Sequence, residues 1–324
     1  MEAVMFEKQC RARNILIAVD ASEHSLEAVR YVGQLIPVEG AGITLFHVLN
    51  PVPDCFWDTT SIPCFERQPI GTAGWQAQQE RIIHDFMDRA IRLLLGLGYP
   101  REAISVLIRE RELGIARDIA REAQTGYDAL VVGRRGMSAV RDLIIGSIAH
   151  KLVNYLNQAT VWVVGGHPDP AKILIAMDGS EGARRAVEFV GKIFDRSHPD
   201  ILLLHVTRGI EPLRPCGEEF SPEADWLEKA RQELERAERA MATVFEDCIQ
   251  HLEQQGADAG RIKTKIVQGV YSRAAAIFGE AREEGCGTIV LGRRGISRVE
   301  EFFMGRVSSK VLQLAQEMAV WIIH

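Results

Sequence analysis

Short apolar runs alternate along this chain with longer stretches in which apolar residues recur at helical spacing. In the first half, the apolar runs predict strands near residues 14–19, 43–49, 103–109, 128–132 and 159–164. The amphipathic stretches between them predict helices near residues 23–36, 75–97, 114–124 and 147–157. This alternation is typical of βαβ units that build a parallel sheet.

The second half has the same order of apolar and amphipathic segments. Its predicted strands lie near residues 172–177, 201–206, 262–267, 287–291 and 319–323. A long helix with one charged face is predicted near residues 222–255. In the first half the stretch from Asn50 to Gly74 is long for a loop, and loops of that size usually cover a site or a partner surface.

The two halves are copies of one unit. The segment from Ile17 to Ser22 matches Ile175 to Ser180, and the offset stays at 158 or 159 residues over most of the chain. A turn-rich linker near residues 165–170 separates the copies. The sequence therefore predicts tandem domains at residues 12–165 and 171–324.

Each copy carries a glycine pattern that follows a predicted strand and precedes a predicted helix. The first copy contains Gly133, Gly136, Gly146 and Ser147, and the second contains Gly292, Gly295, Gly305 and Arg306. Free amides in such a turn, together with the positive end of the helix dipole, favour an anion. Strand one ends at Asp20, so we expect its carboxylate and the glycine loop to flank one crevice where the strand order reverses.

Several of these residues also have purely structural interpretations. Asp20 and Asp178 stand three residues before a glutamate, as in capping boxes, and so could simply start their helices. Any single glycine of the pattern is expected in a tight turn more often than against a ligand.

Other conspicuous side chains are interpreted as structural for the same reason. The histidines His47 and His205 are expected to be core or capping residues, and Trp162 and Trp321 to be packing residues. The arginine pairs that follow Gly133 and Gly292 are most often solvated loop charges, although they could meet a polyphosphate.

Composition narrows the functional classes. The chain is 47% hydrophobic and 25% charged with a net charge of −6, which argues against general binding of nucleic acid or of a membrane surface. The six cysteines show no zinc-binding spacing, and scattered thiols fit a reducing cytoplasm. Motifs of nucleotide-hydrolysing P-loops, catalytic triads and metal centres are missing from the sequence, so no catalytic residue and no metal ligand is assigned.

These motifs resemble the universal stress protein family in its tandem form, over nearly the whole chain. The resemblance implies two Rossmann-like α/β domains, each a five-stranded parallel sheet sandwiched by helices, paired through their last strands as an internal pseudo-dimer. It also implies a cytoplasmic stress-response regulator that binds ATP, with or without Mg²⁺, and that could contact regulatory proteins or form a further homodimer. The implied nucleotide-binding residues are Asp20, Gly133, Gly136, Gly146, Ser147, Asp178, Gly269, Gly292, Gly295 and Gly305.

Each copy departs from the family pattern at one position. The glycine after strand three is present as Gly269, whereas the first copy is expected to have Glu110 there. The serine of the phosphate loop is Ser147 in the first copy and Arg306 in the second. We expect the first copy to bind ATP, as a switch with slow hydrolysis or autophosphorylation at most. The alternatives are a nucleotide-free interaction scaffold and, less favoured, an enzyme that adenylates or ligates a substrate.

Overall fold

A computed structural model describes residues 13–50, 73–136, 145–156, 158–194, 199–208, 224–295 and 304–324. Nearly all of the long stretch from Asn50 to Gly74 lies outside these residues. The strands of the first unit are β1 (Arg13–Ala18), β2 (Ala41–Leu49), β3 (Ile104–Glu110), β4 (Ala129–Gly133) and β5 (Val161–Val164). The helices between them are α1 (Glu23–Leu35), α2 (Ala73–Gly96), α3 (Ile115–Ala123) and α4 (Ser147–Tyr155).

The second unit repeats this order of elements. Its strands are β6 (Lys172–Met177), β7 (Asp200–Arg208), β8 (Ile262–Val270), β9 (Thr288–Gly292) and β10 (Ala319–Ile323). Its helices are α5 (Glu181–Phe194), α6 (Ala224–Gln254), α7 (Arg273–Glu283) and α8 (Arg306–Leu314). A short 3₁₀ turn precedes the third strand of each unit, at Arg101–Ala103 and Ala259–Arg261.

The two units share one ten-stranded sheet, in the order β3-β2-β1-β4-β5-β10-β9-β6-β7-β8. Strands pair in parallel within each unit, and β5 pairs antiparallel with β10, where Trp162 lies opposite Trp321. The α/β class and the pairing of the last strands are therefore confirmed. The domain boundaries at residues 12–165 and 171–324 stay a prediction.

Both faces of the sheet are covered by helices, which explains why the strands are nearly continuous apolar runs. The core on one face contains Ile15 and Ile17 with apolar residues of α1, α2, α5 and α6. The core on the other face contains Leu16 and Ala18 with apolar residues of α3, α4, α7 and α8. Each core continues from one unit into the other.

The two tryptophans of the central strands stack at the junction of the units. The ring centroids of Trp162 and Trp321 are 3.9 Å apart and the rings are nearly parallel, with an interplanar angle of 2°. The Tyr31 hydroxyl lies 2.7 Å from the Thr288 hydroxyl and accepts a hydrogen bond of 3.1 Å from the Trp321 indole nitrogen. The predicted packing role of both tryptophans is confirmed, and it is a role in joining the units.

Candidate functional site

A large cavity opens at the edge of the first unit where the strand order reverses. Strand β1 lies between β2 and β4, and it pairs with both in parallel. The cavity has a volume of about 830 Å³, and Asp20, Leu49 and Gly133 line it at the carboxyl ends of these strands. The structure thus brings together Asp20 and the first glycine loop, as the motif spacing predicts. Ligands of open α/β sheets typically lie at such an edge.

The three glycines of the first motif are closely packed against the protein itself. A Cβ atom on Gly133 would lie 2.9 Å from the carbonyl oxygen of His24 in α1. A Cβ atom on Gly146 would lie 3.1 Å from the Arg134 carbonyl oxygen, and one on Gly136 would overlap the Asp20 carboxylate. At Gly133 the close atoms are backbone, so packing requires glycine there. At Gly146 the carbonyl group would have to shift by a few tenths of an ångström, and at Gly136 the Asp20 side chain would have to move.

The glycines of the second motif have the same structural cause. A Cβ atom on Gly292 would lie 2.6 Å from the carbonyl carbon of Gly182, and one on Gly305 would lie 3.2 Å from the Arg293 carbonyl oxygen. A Cβ atom on Gly295 would overlap the Asp178 carboxylate. Packing therefore accounts most directly for Gly133 and Gly292, and because the close contacts recur in both units the glycines do not distinguish a binding unit from an empty one.

The two aspartates stabilise the turn before the first helix of each unit. Asp20 Oδ1 accepts hydrogen bonds from the Ser22 amide (3.1 Å) and the Ser22 hydroxyl (2.5 Å). Ser22 is itself the N-cap of α1, and its side chain accepts from the Ser25 amide. In the second unit Asp178 accepts from the Ser180 amide at 3.0 Å. The capping-box interpretation of Asp20 is thus wrong, because the serine two residues later performs the capping.

One end of the cavity is formed by the start of α4. Gly146 is the N-cap of this helix and supplies no side-chain cap, so the first-turn amides lack a capping partner from the N-cap residue. Ser147 begins the helix and is exposed, and Lys151 follows one turn later on the same cavity wall. The cationic side chains among the lining residues are Arg111, Arg117, Arg134, Arg135 and Lys151. Because the Arg134 side chain is buried, four cations and the single carboxylate of Asp20 make the described wall suitable for an anionic ligand.

The prediction that Glu110 replaces the glycine after strand three is wrong. In the sheet, His47 lies opposite Ile108 and His205 lies opposite Ile266, so the residue that corresponds to Gly269 is Arg111. Glu110 is exposed and is not among the lining residues, whereas Arg111 is. The offset between the units is still 158 at this strand and becomes 159 only before β4, which explains the error. A cation therefore lies where a carboxylate was expected.

The histidine at the end of the second strand has the same structural role in each unit. His47 Nδ1 donates to the Val19 carbonyl oxygen at 2.8 Å, and His205 Nδ1 donates to the Met177 carbonyl oxygen at 2.7 Å. Burial lowers the pKa of His47, although the bond to Val19 and the nearby Asp20 oppose this shift. The predicted core or capping role of both histidines is confirmed.

The prediction that the arginine pairs are solvated loop charges is wrong for the first arginine of each pair. Arg134 is only 1% exposed and Arg293 only 3% exposed. Arg134 donates to the carbonyl oxygens of Leu312 (2.7 Å) and Ala315 (2.8 Å), at the end of α8 in the other unit. Burial lowers the pKa of Arg134 to about 10, so it is still a cation at neutral pH. These contacts join residues 178 and 181 positions apart, which no local pattern can indicate.

The described residues hold no cluster of His, Cys, Asp or Glu that could bind a metal ion. The thiols of Cys248 and Cys286 are buried, and burial raises the pKa of each to about 11. The other four cysteines lie outside the residues that the structure describes. Within the described ranges, every helix is too short or too polar to cross a lipid bilayer.

Comparison with known proteins supplies the family. The model of the universal stress protein family matches residues 11–165 and 171–324. A universal stress protein of Mycolicibacterium smegmatis is 26% identical over 207 residues, which are 63% of this chain and 67% of that protein. A universal stress protein of Thermus aquaticus is 30% identical over 142 residues, which are 44% of this chain and 90% of that protein.

Solved structures agree on the fold. The crystal structure of a universal stress protein from Archaeoglobus fulgidus superposes with a TM-score of 0.60 at 17% identity, over 96% of this chain and 97% of that one. A protein of unknown function from Pseudomonas aeruginosa superposes with a TM-score of 0.52 at 12% identity, over 97% and 93% of the two chains. Because the family model covers both halves, this chain belongs to the universal stress protein family, in its tandem form.

Proposed function

We propose that this protein binds ATP in the cavity of its first unit and that binding switches its conformation or its contacts with a partner in a stress response. The observation that carries the proposal is the start of α4, where amides without a side-chain cap and Ser147 meet a cavity lined by the cations Arg111, Arg117, Arg135 and Lys151. Helix N-termini of this kind bind phosphate groups.

The residues of the cavity fit the parts of a nucleotide. Its volume of about 830 Å³ lies in the range of small-molecule pockets. Asp20 offers a carboxylate to accept hydrogen bonds from the ribose, and Val19 and Val48 provide apolar surface for the base. Ser147 and Lys151 would contact the phosphates. Mg²⁺ commonly arrives with the phosphates and needs only one or two carboxylates, so the lack of a described metal cluster is compatible with it.

The second unit is the weaker candidate. Its residues Asp178, Gly269, Gly292, Gly295 and Gly305 correspond to the implied site, but the charged side chains differ. Arg306 stands in place of Ser147, while Gly269 and Ala275 stand in place of Arg111 and Arg117. Ser308 is not a substitute for the missing serine, because it is buried and donates to the Gly292 carbonyl oxygen.

The direct test is calorimetric titration of the full chain with ATP and Mg²⁺. We expect saturable binding with one site per chain, and we expect Ser147→Ala to weaken it by roughly fivefold, the effect of about one lost hydrogen bond. The matched variant Arg306→Ala in the second unit should change the affinity by less than about twofold. The test replaces Ser147 and not one of the neighbouring glycines, because a larger residue at a glycine position would disturb the packing of the loop. Lack of saturable binding at millimolar ATP would contradict the proposal.

A second candidate function is a nucleotide-free scaffold for other proteins. It is favoured by the packing of the glycines, which needs no ligand, and by the exposed first half of α6, where most side chains between residues 228 and 240 face solvent. The same titration separates the two candidates, since a scaffold binds no ATP.

A further inference from the structure

The two helices that start at the glycine loops end against the opposite unit. Helix α4 of the first unit and helix α8 of the second contain no basic residue in their last turns. The final carbonyl groups of a helix lack partners within the helix and carry the negative end of its dipole. Each helix end is therefore best stabilised by a cation from elsewhere.

The arginine that follows Gly292 stabilises the end of α4. Arg293 donates to the carbonyl oxygens of Val153 (2.7 Å), Leu156 (2.5 Å) and Asn154 (3.1 Å). Its planar guanidinium group can bond to several carbonyl oxygens at once, which an ammonium group cannot do with the same geometry. Arg293 is almost fully buried, so water cannot replace it. Without this arginine the three carbonyl oxygens would lack a hydrogen-bond donor.

The N-terminal end of α4 is hydrogen-bonded to the backbone of Arg134. The Gly146 amide donates to the Arg134 carbonyl oxygen at 2.7 Å, while the Arg134 guanidinium reaches the end of α8. The second unit mirrors this arrangement, since the Gly305 amide donates to the Arg293 carbonyl oxygen at 2.9 Å. Two loops and two helices thus form one closed ring of hydrogen bonds between the units.

We infer that Arg293 is a positioning residue for the ATP site of the first unit, although it belongs to the second. It holds the C-terminal end of the helix whose first-turn amides and Ser147 face the cavity. By the same geometry Arg134 positions α8, so each crevice is complete only when the opposite unit supplies its arginine. This inference rests on the proposed function for its ligand, but the ring of hydrogen bonds exists without one.

The test compares two contacts that cross between the units in the full chain. Arg293→Gln removes the bonds to the end of α4, and Arg293→Lys retains the charge without the planar fork. The control is Lys192→Gln, because Lys192 pairs with Asp128 across the units at the opposite, amino-terminal edge of β4. Calorimetry with ATP and Mg²⁺ gives the affinity, and thermal unfolding gives the loss of stability for each variant.

We expect Arg293→Gln to weaken ATP binding by about tenfold, within the usual range for coupled sites, with Arg293→Lys intermediate. Lys192→Gln should lower the melting temperature yet leave the affinity within about twofold, because it touches neither glycine loop. If the wild-type chain binds ATP and the folded Arg293 variants bind it equally well, the inference is overturned. If Arg293→Gln does not fold, the lysine variant decides.

Hydrogen exchange provides a readout that needs no ligand. The Gly146 and His150 amides, bonded to the carbonyl oxygens of Arg134 and Gly146, report on the first turn of α4. These amides should exchange faster in the Arg293 variants than in Lys192→Gln at equal global stability. Should the wild-type chain bind no ATP, the proposed function fails, and unchanged exchange of these two amides would separately overturn the positioning role.

Discussion

The glycine loops of the two units have the same backbone contacts and different neighbouring side chains. Each loop lies beside an aspartate at the end of the first strand and the start of the fourth helix. The first unit presents Ser147 and Arg111 there, and the second presents Arg306 and Gly269. The comparison teaches that the shared glycines make the same close contacts in both units, so the two units differ here in the side chains beside the glycine loop.

The junction of the units shows a second asymmetry. The stacked tryptophans are related by the pairing of β5 with β10, but Trp321 alone donates to a tyrosine. Phe189 stands where the first unit has Tyr31, and the buried Trp162 indole nitrogen has no hydrogen-bond partner among the described residues. The tyrosine hydroxyl that bonds to a tryptophan of this stack therefore comes from the first unit only.

The largest expected effect tests whether packing requires the glycines. Gly292→Ala should lower the free energy of unfolding by about 3 kcal/mol, because its Cβ would meet the backbone of Gly182 at 2.6 Å. Gly133→Ala should cost less, since its closest backbone atom is 2.9 Å away. Urea denaturation measures both. Gly279 in α7 provides the control, because a Cβ atom there would meet no other atom within 4 Å. Gly279→Ala should raise the free energy of unfolding by about 0.5–1 kcal/mol. If Gly292→Ala proves as stable as the wild type, the packing argument is refuted.

The next effect concerns the polar contact at the junction. Tyr31→Phe should lower the free energy of unfolding by about 2 kcal/mol, because the Thr288 hydroxyl and the Trp321 indole nitrogen both lose a buried hydrogen-bond partner. Adding Thr288→Val should recover part of that loss by removing one of the two polar groups. Phe189→Tyr in the other unit should not destabilise by a similar amount. Equal losses for Tyr31→Phe and the double variant in chemical denaturation would contradict this account.

A smaller effect separates the turns that follow the first strands. Ala21 has a positive φ of 64°, and the corresponding residue of the second unit is Gly179, with a φ of 76°. Gly179→Ala should destabilise by about 1 kcal/mol from backbone strain alone, since the nearest atom to its Cβ would be 3.8 Å away. Ala21→Gly should be neutral or stabilise by less than about 1 kcal/mol, because relief of strain opposes the greater freedom of the unfolded chain. Destabilisation by Ala21→Gly as large as that by Gly179→Ala would refute this reasoning.

The smallest expected effect depends on pH. Burial lowers the pKa of His47 below its ordinary 6.5, so the unfolded chain takes up this proton before the folded chain does. The stability that neutral His47 contributes is complete above pH 6.5 and is lost as the pH falls through the folded pKa. Urea midpoints at pH 7.5, 6.5 and 5.5 should fall less steeply for His47→Gln than for the wild type. Parallel slopes would contradict the role of this histidine.

Much of the fold could be predicted from local patterns. The strands, the duplication and the meeting of Asp20 with the glycine loop follow from apolar periodicity and a constant offset. Two of the errors have local causes. Glu110 was misassigned because the inserted residue falls after β3, and the capping role of Ser22 was given to Asp20 because both have short polar side chains.

By itself the sequence determined the α/β class, because burial on both faces of a parallel sheet forces nearly continuous apolar strands. The repeated motifs at a constant offset indicated the tandem organisation and carried the resemblance to the family. Tertiary structure alone decided the roles of Arg134 and Arg293, which resemble exposed loop charges in sequence but lie buried against helix ends of the opposite unit. The physical reason is that a helix end exposes carbonyl groups whose donor can come from any part of the chain. Which part supplies it depends on how the two units dock.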